Sequence, residues 1–426
     1  MAVFTAKYYI TFLEESSFLF CIFNKNCYLW AFFGKTRKIL PPQEVTRTVE
    51  HKPEECEKCG KHFTEKEKNK PVERRQVWEI PDIKPDVIEH VFYKTTCDCG
   101  HETRLPVPKW IYTGVGENLQ SHIAFFTATA KLSRRVLKTV FEEVFQIHIA
   151  VGTIQNRLED TSEIFKPIHD ELEGELGKQS VVNIDESGFP HNKTLAWVWG
   201  FITQTFAFFT IQASRSSRVL KGVLGEFFDG IIICDRYSAY IKYQKDRIKG
   251  MLQFCWAHII REVKAMKYEF AYGSDKLFST VFRKHIGTVF RLWYSFKKGK
   301  ISRKKLIELA QPIIKEMRTF LQQNLEAPSK AISKFSKNLL RKWDSLFTFI
   351  YHEGVEPTNN LAERLIRSAV LSRKISYCTR SKEGQLLLAR LLTVSQTCRI
   401  QNRSTLEFFR AAIYSNLFTF QWPTSS

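Results

Sequence analysis

Three acidic side chains stand where acids are costly. The stretch Val181-Val182-Asn183-Ile184-Asp185-Glu186-Ser187-Gly188 reads as a buried strand, since Val181, Val182 and Ile184 are β-branched. Asp185 interrupts it. Burying an unpaired carboxylate costs several kcal/mol, so a cation is expected beside it. Asp235 closes the apolar run Gly230-Ile231-Ile232-Ile233-Cys234. Glu363 lies in a helical stretch, off its apolar face and next to Arg364 and Arg367. Oxygen ligands fixed on a sheet suit Mg²⁺ or Mn²⁺. Two such ions, roughly 3.5–4 Å apart, activate the attacking oxygen and stabilise the leaving one in phosphodiester displacement. Water as the attacking group gives a nick, whereas a DNA 3′-hydroxyl gives strand transfer. Arg364, Arg367, Arg373 and Lys374 would then hold the DNA backbone near the acids. Any one of these acids alone is more often a surface residue. The three together, in the element order below, carry the reading. Glu186 rivals Asp185, but alternation along a strand turns it to the opposite face.

A second chemistry is carried by cysteine. Cys56-Glu57-Lys58-Cys59-Gly60 and Cys97-Asp98-Cys99-Gly100 read as two zinc-ribbon knuckles, each closed by a glycine that lets backbone amides face the thiolates. The second pair is one residue shorter than the common spacing, and His101 or His62 could replace one ligand. Four unmetallated thiols around a small core are the plain alternative. Val77–Ile80 and Val87–Tyr93 alternate like strands between the knuckles. Cys255-Trp256-Ala257-His258 could be half a metal site. No second half stands nearby in sequence, so a structural or site-bordering pair is the expectation.

The positioning elements follow in order. Strands are expected at Val181–Glu186, Leu195–Ile202 and Phe206–Ala213, with a turn over Pro190–Lys193. Then come a helix at Val219–Phe228, a strand at Gly230–Asp235 and a helix at Ser238–Lys245. A strand at Gly250–Trp256 and a helix at Ile259–Tyr268 complete the set. That order matches an α/β, ribonuclease-H-like core, in which the first and fourth strands lie side by side and bring Asp185 opposite Asp235. The core is expected over 180–270 and 346–415, with a basic helical insertion over 271–345. A zinc-ribbon-like domain is expected over 34–110 and an atypical aromatic segment over 1–33. Residues 111–179 read as a helical, helix-turn-helix-like region. There Thr153, Gln155, Asn156 and Arg157 open the second helix as DNA readers, though a bland helical hairpin fits the pattern as well.

The chain of 426 residues carries 64 Lys and Arg against 44 Asp and Glu, a net charge of +20, which favours a polyanionic partner such as nucleic acid. Ten cysteines are too few for a disulfide scaffold and point to a reducing compartment. The apolar run Phe18–Phe23 is far too short to span a bilayer. The expected location is cytoplasmic, away from membranes.

Five motifs occur in order. They are Asp185-Glu186-Ser187-Gly188, Trp197-Val198-Trp199, Cys234-Asp235-Arg236-Tyr237-Ser238-Ala239-Tyr240, Cys255-Trp256-Ala257-His258 and Asn359-Asn360-Leu361-Ala362-Glu363-Arg364. Together they resemble the insertion sequence 66 family of bacterial Asp-Asp-Glu transposases, over about residues 34–415. The resemblance implies a Mg²⁺-dependent enzyme that cuts and joins element ends, with Asp185, Asp235 and Glu363 as its triad and an all-helical insertion within 241–355. It implies double-stranded element ends and target DNA as substrates, a homo-oligomer on DNA, and small accessory proteins of the same element. Two features depart from the family: the short second knuckle, and residues 1–33 in place of the usual oligomerising helices. A nuclease that only hydrolyses and a DNA-binding regulator from a decayed element stand as rival readings.

Overall fold

Local chemistry sets the element boundaries in the computed structural model of the chain, which describes residues 39–64, 70–107, 111–245, 250–269 and 273–416. The expected segment 1–33 lies outside the described residues. Contacts divide the chain into two units, 1–82 and 83–426, so the boundary falls inside the stretch 34–110 expected as one domain.

In the first unit, Gln76 pairs with the backbone of Leu40 in both directions: its Oε1 accepts from Leu40 N at 2.8 Å and its Nε2 donates to Leu40 O at 2.9 Å. The turn at Cys56 is held by Gly60 N donating to Cys56 O at 2.8 Å, with Gly60 at φ +67°. The strand expected at Val77–Ile80 is not formed. Val77 and Ile80 are exposed, and Pro81 follows directly. Alternation makes a strand only where one face is buried and every ladder donor is present.

The second unit opens with an exposed hairpin, β1 (Lys94–Thr96) and β2 (Glu102–Arg104), which carries Cys97 and Cys99 at its tip. Val87–Tyr93, expected as a strand, stays irregular and exposed on its way into β1. Helices α1 (Glu117–Phe125), α2 (Arg134–Phe145) and α3 (Val151–Leu176) follow. Ser133 caps α2 by accepting from Val136 N, and Gln146 ends it in the left-handed conformation.

The sheet then builds from β3 (Val181–His191), β4 (Thr194–Ile202), β5 (Ala207–Gln212), β6 (Ile231–Cys234) and β7 (Met251–Phe254), in the order β5-β4-β3-β6-β7. β3, β4 and β5 form an antiparallel meander, while β6 and β7 run parallel to β3. β3 extends further than expected. The turn needs only Asn192 and Lys193, both at positive φ as in a type I′ hairpin. Between the strands lie α4 (Ser217–Leu224) and α5 (Ser238–Lys245). α4 stops four residues earlier than expected, at Gly225 with φ +82°.

After β7 come α6 (Trp256–Glu269), α7 (Gly273–Lys297), α8 (Arg303–Gln323), α9 (Lys330–Leu340) and the short α10 (Thr348–Tyr351). The chain ends with α11 (Asn360–Ser376), α12 (Lys382–Ile400) and α13 (Thr405–Asn416). One face of the sheet (Val182, Ile184, Trp199, Phe201) joins a single core with α4–α9. The other face (Val198, Ile202, Phe209) packs on α11 through Ala362, Leu365, Ile366 and Ala369. α12 and α13 share a further core with α1–α3, so the helical region expected as separate is knitted to the C-terminal helices. Arg390 fastens it, donating to Ser162 and Glu163.

Both sheet edges are covered. Thr393 Oγ1 accepts from Phe209 N at 2.9 Å and Thr397 Oγ1 from Ala207 N at 3.1 Å, so α12 satisfies the open side of β5. On β7, Gln253 and Leu252 bond to Phe349 and Thr348 at the start of α10. Among the described residues no helix is long and apolar enough to cross a membrane.

Candidate active site

The parallel ladder of β3 and β6 pairs Val181 with Ile231, Val182 with Ile232 and Asn183 with Ile233. Asp185 lies two residues past the last of these pairs in β3, and Asp235 directly follows β6, so the two acids stand at the same end of neighbouring strands. The carbonyl just past the ladder, Ile184 O, accepts from Asn359 Nδ2 at 2.7 Å. Asn359 is buried at the start of α11, so this bond docks the helix carrying Glu363 beside Asp185. Asn359 also holds the N-cap position of that helix. It makes no side-chain cap bond; the sheet takes its amide instead.

Burial pushes the Asp185 carboxyl up to about 7, and the charges of Glu186, Asp235 and Glu363 push it the same way. Asp235 and Glu363 therefore both lie near enough to Asp185 for their charges to reach it. Asp235 is fixed by its own turn, its Oδ1 accepting from Tyr237 N at 2.8 Å. Opposite Asp185 in β4 stands Gly200. A Cβ there would come within 3.0 Å of the Phe209 ring, so the glycine lets that ring close over the sheet.

Glu363 has three neighbours on or before α6. Cys255 Sγ donates to its Oε1 at 3.7 Å, His258 Nδ1 is 3.5 Å from the same oxygen, and Arg261 Nη2 is 3.7 Å from Oε2. Cys255 also accepts from Asn359 N at 3.1 Å. The Cys-x-x-His pair thus has a partner after all, 105 residues further on, and only the fold could reveal it. Asn359 was the other contributor missed, although its place beside Glu363 in the sequence was a signal.

Glu186 points to the other face, as alternation requires. Its carboxylate accepts from Arg215 Nε at 2.8 Å and from Tyr240 OH, and burial raises its pKa. Arg215 in turn lies over the rings of Tyr237 (3.9 Å) and Trp197 (4.8 Å). With both oxygens engaged, Glu186 is unsuited to share a cation with Asp235.

Residues 113–386 match the transposase IS66 family. The chain belongs to that family. The matched span holds all three acids and the residues that dock them. The IS66 family chain is also similar to the uncharacterized protein y4hP of Sinorhizobium fredii (strain NBRC 101917 / NGR234), with 23% identity over 394 residues, 84% of this chain and 70% of that relative.

Among the basic residues of this IS66 family member, Arg367 and Lys374 lie on the same stripe of α11 as Glu363, at helical offsets of four and eleven. Both are exposed, as is Arg364 one position after Glu363. Arg373 does not reach outward: it donates to Gly188 O and ties α11 to β3. A further basic row, Lys330, Lys334, Lys337 and Arg341, repeats along one face of α9 and its cap. It lines a shallow hollow of about 460 Å³. Next to it, Lys342 sits over the Phe254 ring at 5.5 Å; burial lowers its pKa most, and it feels the charges of Arg236 and Asp235. The row therefore leads towards the acids.

The residues expected to read bases are less free. Gln155 accepts from Arg134 and donates to Glu159, and Arg157 pairs with Asp160 at 2.8 Å. Thr153 is half-buried and Asn156 exposed. In the knuckles, backbone amides of Lys58 and Cys59 lower the Cys56 pKa, and the amide of Cys99 does the same for Cys97. Cys59 and Cys99 are exposed.

Proposed function

We propose that this chain is a DNA transposase of a bacterial insertion sequence, cutting and joining the ends of its element by phosphodiester transesterification on a ribonuclease-H-like core. The observation that carries the reading is that Asp235, just past the strand beside β3, and Glu363, on a late helix, lie near enough to Asp185 for their charges to act on it.

That repulsion fits a divalent cation, and Asp185, Asp235 and Glu363 are the residues that would hold Mg²⁺ or Mn²⁺. When bound, such ions supply polarisation of the attacking and leaving oxygens. The chain's own residues do the rest. Asn359 and Cys255 fix Glu363 against the sheet, and the Tyr237 amide fixes Asp235. Arg364, Arg367 and Lys374 receive the DNA backbone beside the acids, with Arg373 holding α11 in place for them. The row on α9 extends the phosphate path. Asn156 and Thr153 are the free contributors of the helix-turn-helix-like pair, with Gln155 and Arg157 orienting its surface. Cys56 with Cys59, and Cys97 with Cys99, are thiolate pairs suited to Zn²⁺, since the amides that face them favour the deprotonated form. The enzyme works in the cytoplasm on double-stranded element ends and target DNA, as a homo-oligomer, with accessory proteins of the element.

Purified chain, Mg²⁺ and DNA carrying the boundaries of its own element test this reading. Joined strands are expected. Nicks without joining would reduce the protein to a nuclease, and no strand chemistry at all would leave a DNA-binding regulator.

A further inference from the structure

Cys255, His258 and Glu363 form a ligand set distinct from the three-acid site that shares Glu363. Their ligand atoms all lie within 4.8 Å of one another. A tetrahedral Zn²⁺ with bonds of about 2.0–2.3 Å separates its sulfur and nitrogen ligands from an oxygen ligand by about 3.4–3.6 Å. The observed separations from Glu363 Oε1 are 3.7 Å to Cys255 Sγ and 3.5 Å to His258 Nδ1. Moreover, His258 Nδ1 is buried and makes no hydrogen bond, although it is aimed at the carboxylate. Sulfur, imidazole and carboxylate suit a zinc-class ion and not Mg²⁺.

We propose that Cys255, His258 and Glu363 bind a zinc-class divalent ion, and that its binding withdraws Glu363 from Asp185 and Asp235. The ion enters as the Cys255 thiol gives its proton to solvent, so one proton is released per ion bound. A fourth position remains for water. The site is an inhibitory one: the ion that fills it competes for the carboxylate on which strand joining depends. The inhibitory half rests on the function proposed above; the binding half does not.

Cobalt is the probe for binding. Titrating Co²⁺ into the intact chain should give thiolate-to-cobalt absorption that is reduced in Cys255→Ser. In His258→Ala, binding at this site should weaken by at least about tenfold. The knuckle cysteines contribute equally to all three proteins, so the difference isolates this site. His258 lies partly exposed on α6, so its replacement spares the fold even if Cys255→Ser does not. Identical titrations for wild type and His258→Ala would overturn the proposal. For inhibition, Zn²⁺ should block Mg²⁺-supported joining in the wild type at concentrations at least about tenfold below those needed in His258→Ala, each measured against its own zinc-free rate. Cobalt binding without that difference would overturn the competitive part. Absence of joining in every metal would count against the proposed function and leave the cobalt result standing.

Discussion

Replacing Asp185 by Asn should make the Mg²⁺-free protein more stable at neutral pH. In the folded state the Asp185 carboxyl is raised from 3.8 to about 7, by burial first and by Glu186, Asp235 and Glu363 after it. A raised carboxyl stabilises the fold below its unfolded value of 3.8. That contribution is lost as pH climbs towards 7, because the folded state must then give up a proton it holds more tightly than the unfolded chain does. At about 1.4 kcal/mol per pH unit, the full loss is on the order of 4 kcal/mol. Asn has no proton to lose. Urea unfolding of both proteins at pH 5 and pH 8, without Mg²⁺, reads the difference. The wild type should lose about 3 kcal/mol relative to Asp185→Asn between those two pH values. Mg²⁺ at a hundredfold excess over its dissociation constant should return about 2.7 kcal/mol to the wild type and little to the variant. Equal pH dependence of the two proteins would refute the idea that Asp185 is a buried acid with further acids pressing on it.

Asn359→Ala removes the bond to Ile184 O, and should cost about 1–3 kcal/mol in thermal or urea unfolding. It should cost far more in strand joining, because Glu363 loses its anchor; a loss of stability with joining intact would contradict the docking role. Arg215→Ala leaves the buried Glu186 carboxylate without its cation. A fully buried pair would cost about 3–5 kcal/mol; with Arg215 partly exposed, roughly 2 kcal/mol is expected, recovered in part by adding Glu186→Gln. Neutralising Lys330, Lys334 and Arg341 should lower the slope of log affinity against log salt for duplex DNA by about one per residue. An unchanged slope would remove α9 from the DNA path.

Much of this arrangement was legible before folding. β6 shows as an unbroken apolar run because it is buried on both faces, and α5 was located to the residue. Asp185 stands out because it breaks a β-branched strand, and alternation alone turns Glu186 to the other face. The strands expected at 77–80 and 87–93 failed because alternation says nothing about whether a partner surface exists. The docking of Glu363 was illegible for a different reason. Asn359, Cys255 and Ile184 belong to three segments, and their hydrogen bonds exist only once β3, β7 and α11 have met. For the same reason the Cys-x-x-His pair looked half-finished. Its third member is a residue already assigned to something else.

The most direct test of the three-acid centre is a Mn²⁺ titration followed by electron paramagnetic resonance on wild type and Asp235→Asn. Asp235 takes no part in the Cys255–His258–Glu363 set, so this variant touches only the proposed catalytic ions. The wild type should bind Mn²⁺ and Asp235→Asn should lose at least one bound ion while melting at an unchanged or higher temperature. Equal Mn²⁺ binding by the two folded proteins would contradict the account.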